Sequence, residues 1–302
     1  MVEPTNALIE LSDSTAQLVE RAAGCVVAVH GGSRWSSSGI HWRSGVIVTA
    51  EEVLERDENI KLVLLGGREV GASLVGRDPT TDVAVLRFLP DGLPIAATAG
   101  ATSRPGQVVA AIGSYEGAPL ASLGVVAYNG AAWQSMRGGA IDSLIRLDLR
   151  LSPAAEGGAA VDAFGRVIGM TVLGPRRRPL VIPASTIERS IDQLLTRGRV
   201  YRGYLGAGLQ TMRSEQAAGS SRSPQGGHGV LVVSVDPEGP SARAGLLVGD
   251  IVTDWNGKPI DRVRDIMRLL AAESVGTTVD LRLVRAGEPA TLKVIIGERP
   301  VT

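Results

Sequence analysis

Short β-rich runs separated by turn-forming residues fill the chain from about residue 25 to 173, and they constrain its fold most. Clear examples are residues 46–48, 83–86 and 108–113, with Gly, Pro and Asp between such runs. Short strands at regular spacing are typical of β-barrels and β-sandwiches. The chain has 38 Gly and 16 Pro among 302 residues and only 3% aromatic residues, which fits a turn-rich β protein.

Two helices are predicted to flank this region. Residues 6–24 space their apolar side chains as an amphipathic helix does. A second helix starts near Pro183, repeats Ile187, Ile191 and Leu194 at helical spacing, and stops at Gly198.

Composition excludes several classes of protein. The net charge is +0, so no basic field favours nucleic acid or an anionic membrane. A single cysteine, Cys25, excludes an intrachain disulfide and a cysteine-based zinc site. The first residues show no basic and apolar leader, which predicts a cytoplasmic protein, or a periplasmic one if a signal was removed. We expect no cofactor and no metal.

Three motifs resemble those of HtrA-type serine proteases, in the same order along the chain. Residues 48–54 read VTAEEVL, residues 78–86 read DPTTDVAVL, and residues 152–160 read SPAAEGGAA. In the family these stretches carry the catalytic histidine, aspartate and serine, respectively. The resemblance implies a mostly β fold, a chymotrypsin-like double six-stranded β-barrel with its site in the cleft between the barrels.

The resemblance also predicts a degenerate triad, with Glu52 at the histidine position, Asp82 at the aspartate and Glu156 at the serine. A carboxylate cannot become an alkoxide nucleophile, so we expect the chain not to be an enzyme. His30, His41 and His228 lie away from the base position.

Three carboxylates at hydrogen-bond range would repel and raise at least one pKa. They could splay into solvent, share a proton or bind a divalent cation. Ala154 stands where the family has glycine, so the oxyanion hole could be lost. If the hole persists, the Glu156 carboxylate could occupy it.

The last hundred residues resemble an HtrA-type PDZ domain. The stretches 239–246 (GPSARAGL) and 248–252 (VGDIV) carry this resemblance, and 202–206 (RGYLG) matches the carboxylate-binding loop. The resemblance implies that strand 205–209 pairs with a peptide. The implied peptide-binding residues are Arg202, Gly203, Tyr204, Leu205, Gly206, Ile266 and Leu270, the last two lining an apolar pocket with Leu205. A PDZ unit that only packs against its surroundings is the alternative.

These observations predict an N-terminal helical segment (1–24), a trypsin-like double barrel (25–198) and a PDZ domain (199–302). The predicted function is that of an HtrA-like pseudoprotease, a scaffold, chaperone or assembly factor. The alternative is a serine-endopeptidase-family protein with residual or unusual hydrolase activity. We expect a protein or peptide partner with a free apolar C-terminus. Membership of a larger complex or an oligomer is left open. We expect neither nucleic acid nor a membrane as a partner.

Overall fold

The structure is a computed structural model that describes residues 6–33, 35–90, 92–99, 103–135, 137–198, 203–212, 229–270 and 274–298. It divides into two compact units, Met1–Val200 and Tyr201–Thr302. Within the described ranges, no helix is both long enough and apolar enough to span a membrane.

The first unit contains two closed six-stranded antiparallel barrels. The first barrel has the strand order β1-β2-β3-β6-β5-β4. Its strands are β1 (Val26–His30), β2 (Ser37–Arg43), β3 (Val46–Thr49), β4 (Ile60–Val63), β5 (Glu69–Asp78) and β6 (Val83–Arg87). Closure removes unpaired strand edges, and the apolar side chains of β1, β3 and β6 are almost wholly buried.

The second barrel has the order β11-β14-β13-β12-β7-β8. Its strands are β7 (Val108–Tyr115), β8 (Ala118–Gly130), β11 (Leu144–Asp148), β12 (Ala159–Asp162), β13 (Val167–Gly174) and β14 (Arg178–Pro183). A separate hairpin joins β9 (Trp133–Gln134) to β10 (Ala140–Ile141). The two barrels confirm the chymotrypsin-like fold class predicted above.

Two helices pack on this unit, one before the first barrel strand and one after the last barrel strand along the chain. Helix α1 (Ala7–Ala23) begins at Asn6, whose side chain accepts a hydrogen bond from the Leu8 N–H at 3.0 Å. Helix α2 (Ala184–Arg197) ends at Gly198, which adopts a left-handed conformation with φ 69°. Such a conformation favours glycine, so the sequence signal for the helix end has a direct physical cause.

One core cluster joins both barrels and both helices. It contains buried Leu18 of α1, Val48 of the first barrel, Met170 of the second and Ile187 of α2. The barrels are therefore not independent bodies, and the cleft between them has fixed walls.

Hydrogen bonds around Ser38 reinforce this joint. Ser38 is fully buried on β2. Its hydroxyl donates to the Ala154 carbonyl at 2.6 Å and accepts from the Ser114 N–H at 2.9 Å, and its N–H donates to the Glu156 carbonyl at 2.8 Å. The loop that carries Glu156 is thus bound to the opposite barrel. Glycine at position 157 lets this loop pass close to β2, because a Cβ there would lie 2.3 Å from the Ser38 carbonyl oxygen.

The second unit is a sheet in the order β16-β17-β18-β20-β21, with β19 paired to β18. The strands are β16 (Ala207–Thr211), β17 (Val230–Val235), β18 (Ile251–Trp255), β19 (Lys258–Pro259), β20 (Thr278–Arg285) and β21 (Glu288–Ile295). A short pair, β15 (Gly203–Tyr204) and β22 (Gly297–Glu298), lies outside it. The helices are α3 (Pro240–Arg243) and α4 (Val263–Leu269).

The apolar residues Val263, Ile266, Met267 and Leu270 lie at helical spacing and predict a helix over 261–272, but helix α4 is shorter. Arg262 is its N-cap, and the Asp265 carboxylate accepts the N–H groups of Asp261 at 3.2 Å and Arg262 at 3.0 Å. Because this capping box fixes the first turn, the helix begins two residues later than the apolar pattern suggests. Residues 271–273 lie outside the described part.

A buried ion pair organises the second unit. The Asp250 side chain is 1% exposed, and its two oxygens accept from Arg285 at 2.8 Å and 2.7 Å. Asp250 also accepts the Leu247 N–H at 2.8 Å. The hydrogen bond from Arg285 is the largest cause that holds the Asp250 pKa below its usual value.

We expect Asp250→Asn to destabilise the second unit by about 1–3 kcal/mol at neutral pH, because a bidentate charge-assisted pair is broken. A lowered pKa means that the carboxylate stabilises the fold above its unfolded-state pKa. The difference between wild type and variant should therefore shrink as pH falls into the acid range. Amide hydrogen exchange of the β20 residues measures this loss of stability in wild type and variant at each pH.

The matched control is Asp280→Asn, whose exposed carboxylate lies 3.7 Å from Lys293. An exposed pair contributes at most about 1 kcal/mol. Equal loss of protection in both variants would contradict the prediction.

Candidate functional site

The cleft between the barrels gathers the three carboxylates that the sequence placed at the triad positions. Glu52 follows β3, Asp82 immediately precedes β6, and Glu156 follows a 3₁₀ turn at Pro153–Ala155. The Glu52 N–H donates to Asp82 Oδ1 at 2.9 Å. Asp82 has a positive φ of 59°, an uncommon conformation for a non-glycine residue that Asp tolerates better than most.

Asp82 has the most perturbed pKa in this cluster. Burial raises the pKa of its carboxyl from 3.8 to about 7, and the negative charges of Glu52, Glu156 and Glu51 add to that rise. The hydrogen bond from the Glu52 N–H opposes it. The site therefore holds a carboxyl group that changes protonation near neutral pH.

Two arginines hold the glutamates that follow β3. Glu51 is 14% exposed and lies 3.3 Å from both Arg77 and Arg137. Arg137 also lies 3.4 Å from Glu52, whose side chain is 53% exposed. Arg77 additionally donates to the Leu54 carbonyl at 2.8 Å, which anchors the loop. Sequence reasoning missed both arginines, because neither lies in a triad motif.

Glu156 turns toward strand β13. Its Oε1 accepts the backbone N–H of Leu173 at 3.0 Å. Burial, the largest cause, raises the Glu156 pKa, while that hydrogen bond and the charge of Arg177 lower it. Leu173 was not among the predicted site residues; no side-chain pattern marks a backbone donor.

The backbone N–H groups just before and at Glu156, which would form part of an oxyanion hole in the family, lie in a 3₁₀ turn. The Glu156 N–H donates to the Pro153 carbonyl at 3.1 Å, and the Ala155 N–H donates to the Ser152 carbonyl at 2.9 Å. These donors are used within the 3₁₀ turn. The Glu156 carboxylate is bound by Leu173 rather than by its own loop.

The glutamates thus relieve their repulsion by turning apart, Glu52 to Arg137 and Glu156 to Leu173. Within the described ranges, no group of three His, Cys, Asp or Glu side chains has metal-binding geometry.

The described histidines do not join this site. His41 is 1% exposed, and its Nδ1 donates to the Pro94 carbonyl at 2.9 Å. His30 lies 3.6 Å from Glu116. His228 lies outside the described residues.

The predicted carboxylate-binding loop forms the entrance to β16. Gly203 and Tyr204 pair with Glu298 and Gly297, and the Tyr204 hydroxyl donates to Asp236 at 2.9 Å. Gly206 has φ +75°, which fits a turn before the strand. Arg202 lies outside the described residues. The turn also explains why the strand runs over Ala207–Thr211 instead of 205–209.

The three residues predicted to line the apolar pocket are buried. Leu205 is 2% exposed, Ile266 is fully buried and Leu270 is 8% exposed, all within the core of the second unit. The half-buried apolar side chains packed against this core include Ala207 and Leu209 on β16 and Val263 and Leu269 on α4. Sequence periodicity identified the apolar face of the helix, but it could not separate core positions from groove positions on that face.

Two family models match the chain, a trypsin-like peptidase domain over residues 37–170 and a PDZ domain over 203–296. A probable periplasmic serine endoprotease DegP-like of Halomonas elongata is 33% identical over 265 residues, which cover 85% of this chain and 55% of that protein. The Brucella suis DegP-like protein is 30% identical, with 85% and 51% covered. The chain thus spans about half the length of the curated relatives it matches.

Solved structures agree with these matches. The serine endoprotease from Yersinia pestis is 30% identical with a TM-score of 0.78, covering 94% of this chain and 98% of that one. The HtrA-type protease AlgW, solved with a tripeptide, is 28% identical with a TM-score of 0.76, covering 95% and 98%.

These comparisons correct the prediction that the chain is not an enzyme. That prediction rested on the glutamates at positions 52 and 156, yet the relatives are named as serine endoproteases and HtrA-type proteases. The descriptions as pseudoprotease and chaperone are likewise unsupported. The cytoplasmic prediction is unsupported too, since the curated relatives are named periplasmic.

We expect Asp82→Asn to change how stability depends on pH. The folded pKa of Asp82 is raised to about 7, so its contribution to stability is present below the unfolded pKa and is lost as pH rises through 7. Asn keeps the acceptor for Glu52 and tolerates a positive φ. At pH 8 the variant should therefore be more stable than wild type by about 1–3 kcal/mol, measured by urea unfolding.

The two stabilities should converge near pH 4. A second variant, Glu52→Gln, removes one negative neighbour and should lower the Asp82 pKa in an NMR titration. Parallel stability curves for wild type and Asp82→Asn between pH 4 and 8 would show that Asp82 titrates normally.

Proposed function

The chain belongs to the HtrA-type serine endoprotease family, and from that premise we propose that it binds extended peptides through its PDZ unit. The observation that carries this proposal is the position of β16 at the edge of its sheet. An edge strand offers backbone N–H and C=O groups to an added strand, which is how PDZ domains take peptides. The structure of AlgW with a tripeptide shows a relative with a bound peptide.

Helix α4 forms the second wall of the proposed groove. The Val263 N–H donates to the Thr211 hydroxyl at 3.1 Å, which places the start of α4 beside the end of β16. Leu209 and Val263 are half-buried, so each keeps apolar surface available to a ligand. We propose these two residues as contacts for an apolar peptide side chain, in place of the buried Ile266.

The turn before β16 would receive the terminal carboxylate. The Leu205 carbonyl accepts from Ser241, and the Gly206 carbonyl accepts from the Asp236 N–H at 2.9 Å. These bonds fix the carbonyl side of the turn. We propose the N–H groups of Leu205 and Gly206 as the donors to that carboxylate.

We expect a peptide with a free apolar C-terminus to bind about tenfold more tightly than its amidated form, because charge-assisted hydrogen bonds to the carboxylate are lost. Isothermal titration calorimetry with the full chain measures both affinities. Val263→Asp should weaken binding by placing a charge in the groove. Ile295→Asp, on the opposite edge strand, should leave it unchanged.

Equal affinity for the two peptide forms would contradict the proposal. Ile266→Asp is unsuitable as a test, because that side chain is fully buried and a charge there would unfold the unit.

Peptide hydrolysis by unusual chemistry is the second candidate function, and family membership favours it. A protonated carboxyl can act as a general acid while an ionised carboxylate acts as the general base that activates water. Asp82, with its pKa raised to about 7, and Glu156 are the groups we assign to this role. Arg137 holds the neighbouring Glu52 in an ion pair, and the Leu173 N–H holds Glu156 by a hydrogen bond.

If this assignment is right, casein degradation by the full chain should resist serine-directed fluorophosphonates. Glu156→Gln should reduce it by about a hundredfold, the scale of general acid–base catalysis. Glu69→Gln, an exposed partner of Lys61, serves as the control. No degradation by wild type, or stoichiometric labelling of a serine, would overturn this candidate.

We further propose a periplasmic location, which rests on the names of the curated relatives. Fractionation of the native organism, with the protein recovered in the cytoplasmic fraction, would contradict it.

A further inference from the structure

A cleft of about 730 Å³ lies in the second barrel beside the loop that carries Glu156. Its lining includes Arg150, Arg177, Ser122, Ser152 and Leu173. Leu173 is also the residue whose N–H binds the Glu156 carboxylate at 3.0 Å. The cleft therefore adjoins the carboxylate cluster without being part of it.

The two arginines of this cleft contrast with Arg43 and Arg137. Arg43 and Arg137 lie in ion pairs with acidic side chains. In the described part of the chain, Arg150 and Arg177 are in no ion pair, and the hydroxyls of Ser122 and Ser152 make no hydrogen bond. The cleft thus presents two cations and two hydroxyl groups to a ligand.

The remaining lining is largely apolar, from Leu149, Leu151 and Pro153. Arg150 and Arg177 are both exposed to solvent, so an entering anion can reach them. The chain has a net charge of +0, so this concentration of positive charge is local.

Backbone conformation fixes one of these arginines in an unusual way. Arg176 and Arg177 have φ values of 59° and 55°, a left-handed region that is unfavourable for non-glycine residues. The pairing of Gly174 with Arg178 closes the loop around them. Strained backbone of this kind concentrates at ligand-binding sites.

We propose that this cleft binds a carboxylate group carried by a peptide, with Arg150 and Arg177 as its cationic partners. Guanidinium groups suit this role because they bind carboxylates with several directed N–H donors. Glu156 shows that a carboxylate is already held at the border of the cleft, by the Leu173 N–H and near the charge of Arg177. The site lies in the first unit and does not depend on peptide binding by the PDZ unit.

An acidic side chain and a C-terminal carboxylate offer the same chemistry, and the test separates them. The full chain carries Val263→Asp to suppress binding in the PDZ groove. Fluorescence anisotropy compares three labelled peptides of one length: an amidated peptide with an internal Glu, its Gln counterpart, and a peptide without acidic side chains that has a free C-terminus.

We expect a carboxylate-bearing peptide to bind about tenfold more tightly than the amidated Gln peptide, and Arg150→Gln with Arg177→Gln to remove that difference. Arg176→Gln and Arg178→Gln are the matched controls, because both lie in the same loop outside the lining of the cleft. Preference for the Glu peptide identifies a side chain as the ligand, and preference for the free C-terminus identifies the chain end. Circular dichroism verifies that each variant is folded.

Equal binding of all three peptides would overturn the proposal. So would an equal loss of affinity in Arg178→Gln, because the attraction would then be a diffuse charge effect. Failure of the PDZ proposal has a different signature, equal affinity of wild type for free-acid and amidated peptides, so the two outcomes are distinguishable.

Discussion

The hydrogen bonds around buried Ser38 are the constraint on which the carboxylate site depends. Ser38 belongs to the first barrel, yet its hydroxyl and N–H bind the carbonyls of Ala154 and Glu156 from the second. Thr49 donates to the Ser38 carbonyl at 2.7 Å and so extends the network into β3, just before Glu52. Because these polar groups are buried, leaving any of them without a partner would be costly. Glu52, Asp82 and Glu156 consequently lie in one cleft.

The electrostatics of that cleft follow from partners outside the triad motifs. Arg77 and Arg137 compensate Glu51, and Arg137 reaches Glu52. Asp82 has no comparable cation among its described contacts, so burial dominates and its pKa rises to about 7. One group in the cluster is thereby available as a proton donor near neutral pH, although its neighbours are carboxylates.

We propose a separate peptide-binding surface in each unit. The edge strand β16 offers a backbone ladder, which recognises an extended peptide with little dependence on its sequence. The cleft with Arg150 and Arg177 offers charge in an apolar setting, which selects for an anionic group. A protein with both would combine general peptide binding in one unit with charge selectivity in the other.

The sequence alone determined the fold, and its motifs predict which residues stand at the three triad positions. Short apolar runs between turn residues, Gly198 at a helix end and the PDZ motifs each reflect local physical requirements, so they can be read from neighbouring residues. Only the tertiary structure decided which way Glu52 and Glu156 turn, because Arg137 and the Leu173 N–H come from distant segments. It also decided that Ile266 is core while Val263 remains half-buried, a difference set by what packs against each turn of α4. The cleft with Arg150 and Arg177 was also decided only by the tertiary structure, because no sequence motif links these two arginines and the barrel brings them together.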